Sequence, residues 1–155
     1  MRFSAISLLS LAAAPVLGQN NGTYIKTDAG KYLGYTTVSR GVMIGITVDS
    51  QSKASKATIN NNGNLELLVE EGQSKAAVSL SGIAAASGNL NEVLIAYGTP
   101  TKGFSFAKNG SLAVSDDKFH GFYACKDGGT ESQMYWAAKA TETPDGCEAL
   151  SFSKA

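Results

Sequence analysis

Apolar and polar residues alternate along most of this chain, a pattern that predicts β-strands. Residues 42–48 read VMIGITV and place four β-branched side chains on one face, the period of two expected of a half-buried strand. Residues 92–98 (EVLIAYG) and 133–138 (QMYWAA) are apolar runs, which predict strands that are buried on both faces. Shorter candidates bring the total to about twelve strands, and only the alanine-rich residues 81–92 offer a helix candidate. The pattern therefore predicts an all-β protein.

The dipeptide Asn-Gly occurs three times, each time followed by a polar and then a large apolar residue, with its glycine at Gly22, Gly63 or Gly110. Asn-Gly between alternating runs is a strong hairpin signal, because a type I′ turn needs positive φ at both central residues. The pattern predicts type I′ hairpins at Gly63 and Gly110. Gly22 lies near the predicted start of the mature chain, where we expect no hairpin and little constraint.

Division of the chain at these three glycines gives segments of similar length, each with four predicted strands in the same order. Three units of four strands match the β-trefoil, in which about six strands close a barrel and the others cap it. We therefore predict a compact β-barrel with a trefoil-like pseudo-threefold repeat. A β-sandwich remains the alternative, because a chain with 17 glycines contains some Asn-Gly pairs by chance.

The first residues of the chain predict an export signal. Arg2 precedes an apolar run over residues 5–17, and small residues around Gly18 suit signal peptidase. The run is shorter than the ~20 residues that span a bilayer. The sequence therefore predicts a signal peptide over residues 1–18 and a single secreted domain over residues 19–155, with no membrane span.

Charge and cysteine content narrow the functional classes. The chain has 13 basic and 13 acidic residues scattered along its length, which argues against nucleic-acid binding. Cys125 and Cys147 are the only cysteines, and export favours a disulfide between them, with two buried free thiols as the alternative. Closing a loop of this size contributes about 3 kcal/mol in the chain-entropy model.

Few residues could support catalysis. His120 is the only histidine, so a metal site built from several imidazoles is excluded and a serine-type triad would depend on this residue. A glycosidase needs two facing carboxylates. The two acidic pairs, Glu70–Glu71 and Asp116–Asp117, instead lie at predicted turns, where solvated charges are common. We predict no enzyme activity, no metal site and no cofactor.

The acidic turns offer a milder hypothesis, which is sugar binding by a turn carboxylate beside an aromatic ring. Asp28 lies close in sequence to Tyr32, and Asp117 lies close to Phe119, while Glu70 occupies the matching turn of the second unit. These five residues are the predicted ligand-binding positions.

Two sequons predict sites of N-glycosylation, at Asn21 and Asn109, both on predicted exposed turns. Asn21 lies close to the predicted cleavage site.

Motifs in the C-terminal half resemble a known family. They are GFSFAKNGSLAV, FYACKD, QMYWAAK and TPDGCEALSF. This set resembles the PhiA-like cell wall proteins of filamentous fungi, and YLGYTTVSRG and ATINNNGNLEL are similar to the opening strand and hairpin of that family. The resemblance implies a small secreted wall protein without enzyme activity, associated with phialide and conidial development. Similar secreted proteins of plant-associated fungi elicit the hypersensitive response.

We therefore expect a non-catalytic, secreted protein of the fungal cell wall, linked to conidial development or acting as an elicitor at a plant surface. The expected partner is wall polysaccharide or a host surface receptor. A lectin-like module that binds wall glycan is the alternative hypothesis.

Overall fold

The computed structural model describes residues 22–70, 74–85, 89–126 and 131–155. In these ranges the chain forms thirteen β-strands and one short 3-10 turn at Gln51–Lys53. The strands are β1 (Thr23–Thr27), β2 (Tyr32–Ser39), β3 (Val42–Val48), β4 (Lys56–Ile59), β5 (Leu65–Val69), β6 (Ser74–Ala84), β7 (Leu90–Ala96), β8 (Phe104–Phe106), β9 (Leu112–Val114), β10 (Phe122–Cys125), β11 (Ser132–Ala137), β12 (Cys147–Leu150) and β13 (Phe152–Lys154). The predicted signal peptide and Asn21 lie outside the described residues. The helix candidate is wrong where it is described, since its ends belong to β6 and β7.

Eight of these strands close an antiparallel β-barrel. Around the ring the order is β1, β2, β3, β11, β7, β6, β5 and β4, and β4 pairs with β1 to close it. Strands β10 and β12 extend the sheet from β11, β13 pairs with β1, and β8 and β9 form a separate two-stranded sheet. Closure pairs strand edges that would otherwise be open. The prediction of a compact all-β barrel is confirmed.

Alternating burial explains why these segments form strands. In β5 the side chains of Leu65, Leu67 and Val69 are fully buried, whereas the residues between them are only half-buried. This period of two lets one face of the strand fill the barrel while the other meets solvent or a covering loop. The main core collects such residues from most strands of the barrel.

Burial differs from prediction in β3 and β7. In β3 the face that carries Met43 and Gly45 points into the barrel interior. Ile46 and Val48 are buried on the opposite face. On this second face, Gly34 of β2 has no side chain and so leaves room for Val48 and for the carbonyl group of Lys53 at the end of the 3-10 turn. Both faces are therefore covered over the second half of β3, where the prediction of one buried face is wrong. The residues of β7 are partly buried and partly half-buried, so the prediction that both of its faces are buried is wrong. The same prediction is confirmed for most of β11.

Hairpins form at both predicted positions, linking β4 to β5 and β8 to β9. The N–H of Gly63 donates to the carbonyl of Asn60 at 3.0 Å, and the N–H of Gly110 donates to that of Ala107 at 2.9 Å. The glycines have φ of 73° and 86°, whereas the preceding asparagines have negative φ. The prediction of type I′ turns is therefore wrong. The arrangement matches the three-residue hairpin loop, which needs only one left-handed residue.

The expectation that Gly22 is unconstrained is wrong. A Cβ atom at Gly22 would lie 2.9 Å from the Cβ of Lys56 in β4. The other two Asn-Gly glycines face comparable partners, since a Cβ at Gly63 would lie 3.1 Å from the N of Gly103 before β8 and one at Gly110 would lie 3.9 Å from the Cβ of Lys154 in β13. Gly22, Gly63 and Gly110 thus lie just before β1, β5 and β9. Gly22 faces β4, Gly63 faces the residue just before β8, and Gly110 faces β13.

Strands β3, β7 and β11 pair with one another in a cycle. The first half of β3 pairs with the second half of β7, and the first half of β7 pairs with the second half of β11. The first residues of β11 then pair with the second half of β3. Every pairing is antiparallel, so each strand contributes its two halves to two different neighbours.

The predicted disulfide between Cys125 and Cys147 is confirmed, with an S–S distance of 2.06 Å. The two residues lie directly opposite each other on β10 and β12. A second cluster of buried side chains packs with them and includes Tyr123, Tyr135 and Leu90. The disulfide therefore ties β12, at the end of the main sheet, to β10.

No helix among the described residues has both the length and the apolar character needed to cross a membrane.

Candidate functional site

Glu70 adopts an unusual backbone conformation at the end of β5. Its φ is 51°, and no other described residue apart from glycine has positive φ. The left-handed region costs a residue with a Cβ about 1–2 kcal/mol. Strain of this kind persists when surrounding contacts fix it, and it is concentrated at functional sites.

Three side chains fix Glu70 in place. The hydroxyl of Tyr35 accepts a hydrogen bond from the Glu70 N–H at 3.0 Å. The hydroxyl of Tyr97 donates to Oε1 at 3.0 Å, and that of Ser74 donates to Oε2 at 2.9 Å. These residues come from β2, from the end of β7 and from the start of β6, so the barrel topology assembles them. We call Tyr35, Glu70, Ser74 and Tyr97 the Glu70 cluster.

The cluster is open to solvent, and its carboxylate has no cation beside it in the described part of the chain. Glu70 is exposed, and 52% of the Tyr97 surface is accessible. Among the described residues, no Lys, Arg or His nitrogen lies within 4.0 Å of the Glu70 oxygens. Reduced hydration raises the pKa of the Tyr97 phenol above 10.0, and the hydrogen bond to Glu70 raises it further. Tyr97 therefore stays neutral near neutral pH and donates to the carboxylate.

The chemistry of the Glu70 cluster suits a polar ligand. The carboxylate can accept hydrogen bonds from hydroxyl or ammonium groups, and the Tyr97 ring offers an exposed apolar face with a polar end. Val42, which is 36% exposed, pairs with Ala96 directly before Tyr97. A flat molecule with hydroxyl groups on its edge could therefore contact ring and carboxylate together.

The first predicted turn is positioned differently. Asp28 is exposed, and its N–H donates to the carbonyl of Ser151 at 3.1 Å. Tyr32 is half-buried at the start of β2, and no hydrogen bond joins its side chain to Asp28 in the described structure. Beside them, Lys31 forms an ion pair with Glu148 at 3.2 Å. This turn is thus tied to the C-terminal strands.

The third predicted turn borders an open cleft of about 600 Å³. The cleft is lined by Thr101, Lys102, Ser115, Asp116, Asp117 and Lys118. Phe119 does not line it, because its ring packs against Phe122 with 4.7 Å between ring centroids and adjoins the main core. The structure therefore separates Asp117 from the aromatic residue with which the sequence grouped it. We call this surface the Asp117 cleft.

Asn109 is exposed at the tip of the β8–β9 hairpin, where its Oδ1 accepts a hydrogen bond from the Ser111 N–H at 3.1 Å. Its occupancy by a glycan stays a prediction.

His120 is exposed just before β10, and its N–H donates to the carbonyl of Ala137. The described ranges contain no group of three or more His, Cys, Asp or Glu residues that could hold a metal ion.

Sequence reasoning identified Glu70 but missed Tyr35 and Tyr97. Each tyrosine lies at least 27 positions from Glu70 in the chain, and no local pattern reports that the middle of β2 and the end of β7 come close to the end of β5. The unusual φ of Glu70 also has no sequence signature, since glycine is the residue expected there.

The chain belongs to a family described as a domain of unknown function (DUF7907), whose model matches residues 18–154. No curated protein matches the chain, and no solved structure matches it.

Proposed function

We propose that this protein is a non-catalytic, secreted protein of the fungal cell wall that binds wall polysaccharide through the Glu70 cluster. The observation that carries the proposal is the strained backbone of Glu70, which holds an exposed carboxylate between two hydroxyl donors beside the exposed Tyr97 ring. Such an arrangement offers both the polar and the aromatic contacts that sugars use. The predicted export signal and the resemblance of several sequence motifs to fungal cell wall proteins support the location.

The exposure of the cluster favours binding over catalysis. The cluster lies open to water, while catalytic electrostatics is strongest in sites that exclude water. We therefore assign Glu70 a role in ligand recognition.

Cosedimentation with insoluble wall polysaccharide tests this function. The wild-type protein should pellet with washed fungal wall material, and Tyr97→Ala should lose most of that binding because the ring contact is removed. Truncation of an aromatic residue that anchors a binding surface costs more than about 1 kcal/mol, so a loss of about tenfold is expected. Asp117→Ala, which changes an exposed acid in the Asp117 cleft, serves as the control. Equal retention of all three proteins on the wall, or selective loss in Asp117→Ala, would contradict the proposal.

We also propose that the fold as a whole is a β-trefoil built from three equivalent units, although the closed ring of paired strands contains eight strands and not about six. The cyclic pairing of β3, β7 and β11 supports this, as do the comparable surroundings of Gly22, Gly63 and Gly110. In an experimental structure, residues 22–62, 63–109 and 110–155 should superpose by rotations about one common axis. Units related by no common axis would contradict the trefoil and leave the closed barrel.

A further inference from the structure

We infer that the Glu70 cluster selects polysaccharide that carries free amines, such as the glucosamine units of deacetylated chitin, over neutral glucan. The inference rests on the proposed function and specifies its ligand. It begins from the charge of the cluster, because Glu70 presents an exposed carboxylate with no basic partner among the described residues.

Two other glutamates, Glu148 and Glu66, differ in this respect. Glu148 pairs with Lys31 at 3.2 Å, and Glu66 pairs with Lys75 at 3.8 Å. Within the described ranges, the Glu70 carboxylate instead receives neutral hydroxyl donors. Its negative charge is therefore held in position but not neutralised by a neighbouring cation of those ranges, which leaves it available to a cation from outside.

The carboxylate also retains hydrogen-bonding capacity. A carboxylate has about four acceptor positions, and Tyr97 and Ser74 occupy one on each oxygen. An ammonium group can donate to the remaining positions, and a charge-assisted hydrogen bond is stronger than a neutral one.

The aromatic ring favours the same ligand. The exposed Tyr97 ring adjoins the carboxylate through its own hydroxyl group. Cations are attracted to the faces of aromatic rings, and recognition of ammonium ligands commonly uses this contact. A sugar with an amine substituent can therefore place its ammonium group against both the Glu70 carboxylate and the face of the Tyr97 ring.

The Asp117 cleft lacks this combination. Its lining contains two lysines beside two aspartates, and Phe119 packs toward the core. Its acids therefore share their surface with basic groups, and its lining includes no aromatic ring, which makes Asp117 a suitable control position.

The test compares a short glucosamine oligomer with its fully N-acetylated counterpart and with a neutral glucan oligomer, by titration calorimetry at a pH where the amines are protonated. We expect the glucosamine oligomer to bind about fivefold more tightly than the acetylated one, as an exposed charge contact contributes up to about 1 kcal/mol. Glu70→Gln should abolish this preference, while the charge-matched Asp117→Asn should retain it. An oligolysine of similar charge should bind more weakly than the glucosamine oligomer.

A second variant guards against loss of folding. Glu70→Gly removes the carboxylate and also removes the strain of positive φ, because glycine adopts this conformation freely. The barrel should therefore remain folded, as judged by its amide NMR spectrum, while the preference for the amine-bearing oligomer is lost. Equal binding of the glucosamine and acetylated oligomers to the wild type would overturn the inference and leave wall binding intact. Equal binding of oligolysine and glucosamine would also overturn it, since the site would then recognise charge alone. Failure of every oligomer and of wall polysaccharide to bind would remove the proposed function as well.

Discussion

Replacement of Gly63 by alanine should destabilise the barrel through two separate effects. Gly63 has φ of 73°, and a residue with a Cβ in the left-handed region costs about 1–2 kcal/mol. The new Cβ would also lie 3.1 Å from the N of Gly103, which is closer than an ordinary van der Waals contact.

The neighbouring backbone has little room to move away. A Cβ at Gly103 would itself lie 2.8 Å from Oγ of Ser115, and the Ser115 N–H donates to the Gly103 carbonyl at 2.9 Å. The Phe104 N–H donates to the Gly63 carbonyl at 2.9 Å. Overpacking against such a fixed neighbour costs about 1 kcal/mol or more, and the lower entropy of the unfolded alanine chain offsets about 0.4–1 kcal/mol. The net loss should be about 2 kcal/mol.

Two other glycines separate the contributions. Gly110 has φ of 86° and its nearest Cβ contact would be 3.9 Å away, so Gly110→Ala should lose only about 1 kcal/mol. Gly98 has ordinary φ, and none of the described atoms lies within 4 Å of the place that a Cβ would occupy, so Gly98→Ala should stay within about 0.5 kcal/mol. Urea unfolding with the disulfide intact measures all three. Equal losses at Gly63 and Gly110 would refute the effect of the close contact, and values matching Gly98 would refute the effect of positive φ too.

Three further predictions concern the disulfide, the sequon and Tyr97. Reduction of the disulfide should lower the free energy of unfolding by about 3 kcal/mol, as measured by urea unfolding with and without reductant, and no change would contradict its structural role. Protein secreted from a fungal host should carry an N-glycan on Asn109 that disappears in Ser111→Ala, and an unchanged mass after glycosidase treatment of the wild type would count against this. Because the folded pKa of Tyr97 is raised, its contribution to stability should be complete below about pH 10 and lost as pH rises through the folded pKa. Tyr97→Phe should remove that alkaline loss, and identical pH profiles for the two proteins would show that Tyr97 does not cause it.

Local patterns in the sequence predicted much of the fold. The alternation in β5 and the Asn-Gly dipeptides that contain Gly63 and Gly110 act over a few residues, so they indicate strands and hairpins directly. The disulfide could be predicted because only Cys125 and Cys147 are available.

Features that depend on tertiary contacts could not be predicted in this way. Ile46 and Val48 on the outer face of β3 are buried and lie close to Gly34, as does the end of the 3-10 turn. Nothing in the alternation of VMIGITV reports these contacts. The turn type at Gly63 depends on a single positive φ rather than two. The Glu70 cluster needs strands β2, β5, β6 and β7 to meet, which only the closed barrel provides.

Binding of wall polysaccharide at the Glu70 cluster is tested most directly by an NMR titration of the isotope-labelled protein with soluble fragments of fungal wall polysaccharide. We predict saturable amide shifts that are largest at Glu70, Ser74 and Tyr97, the residues joined by the hydrogen bonds of the cluster. These shifts should vanish in Tyr97→Ala while the remaining barrel signals keep their positions. Shifts centred on the Asp117 cleft, or the absence of any saturable shift, would show that the Glu70 cluster is not the binding site.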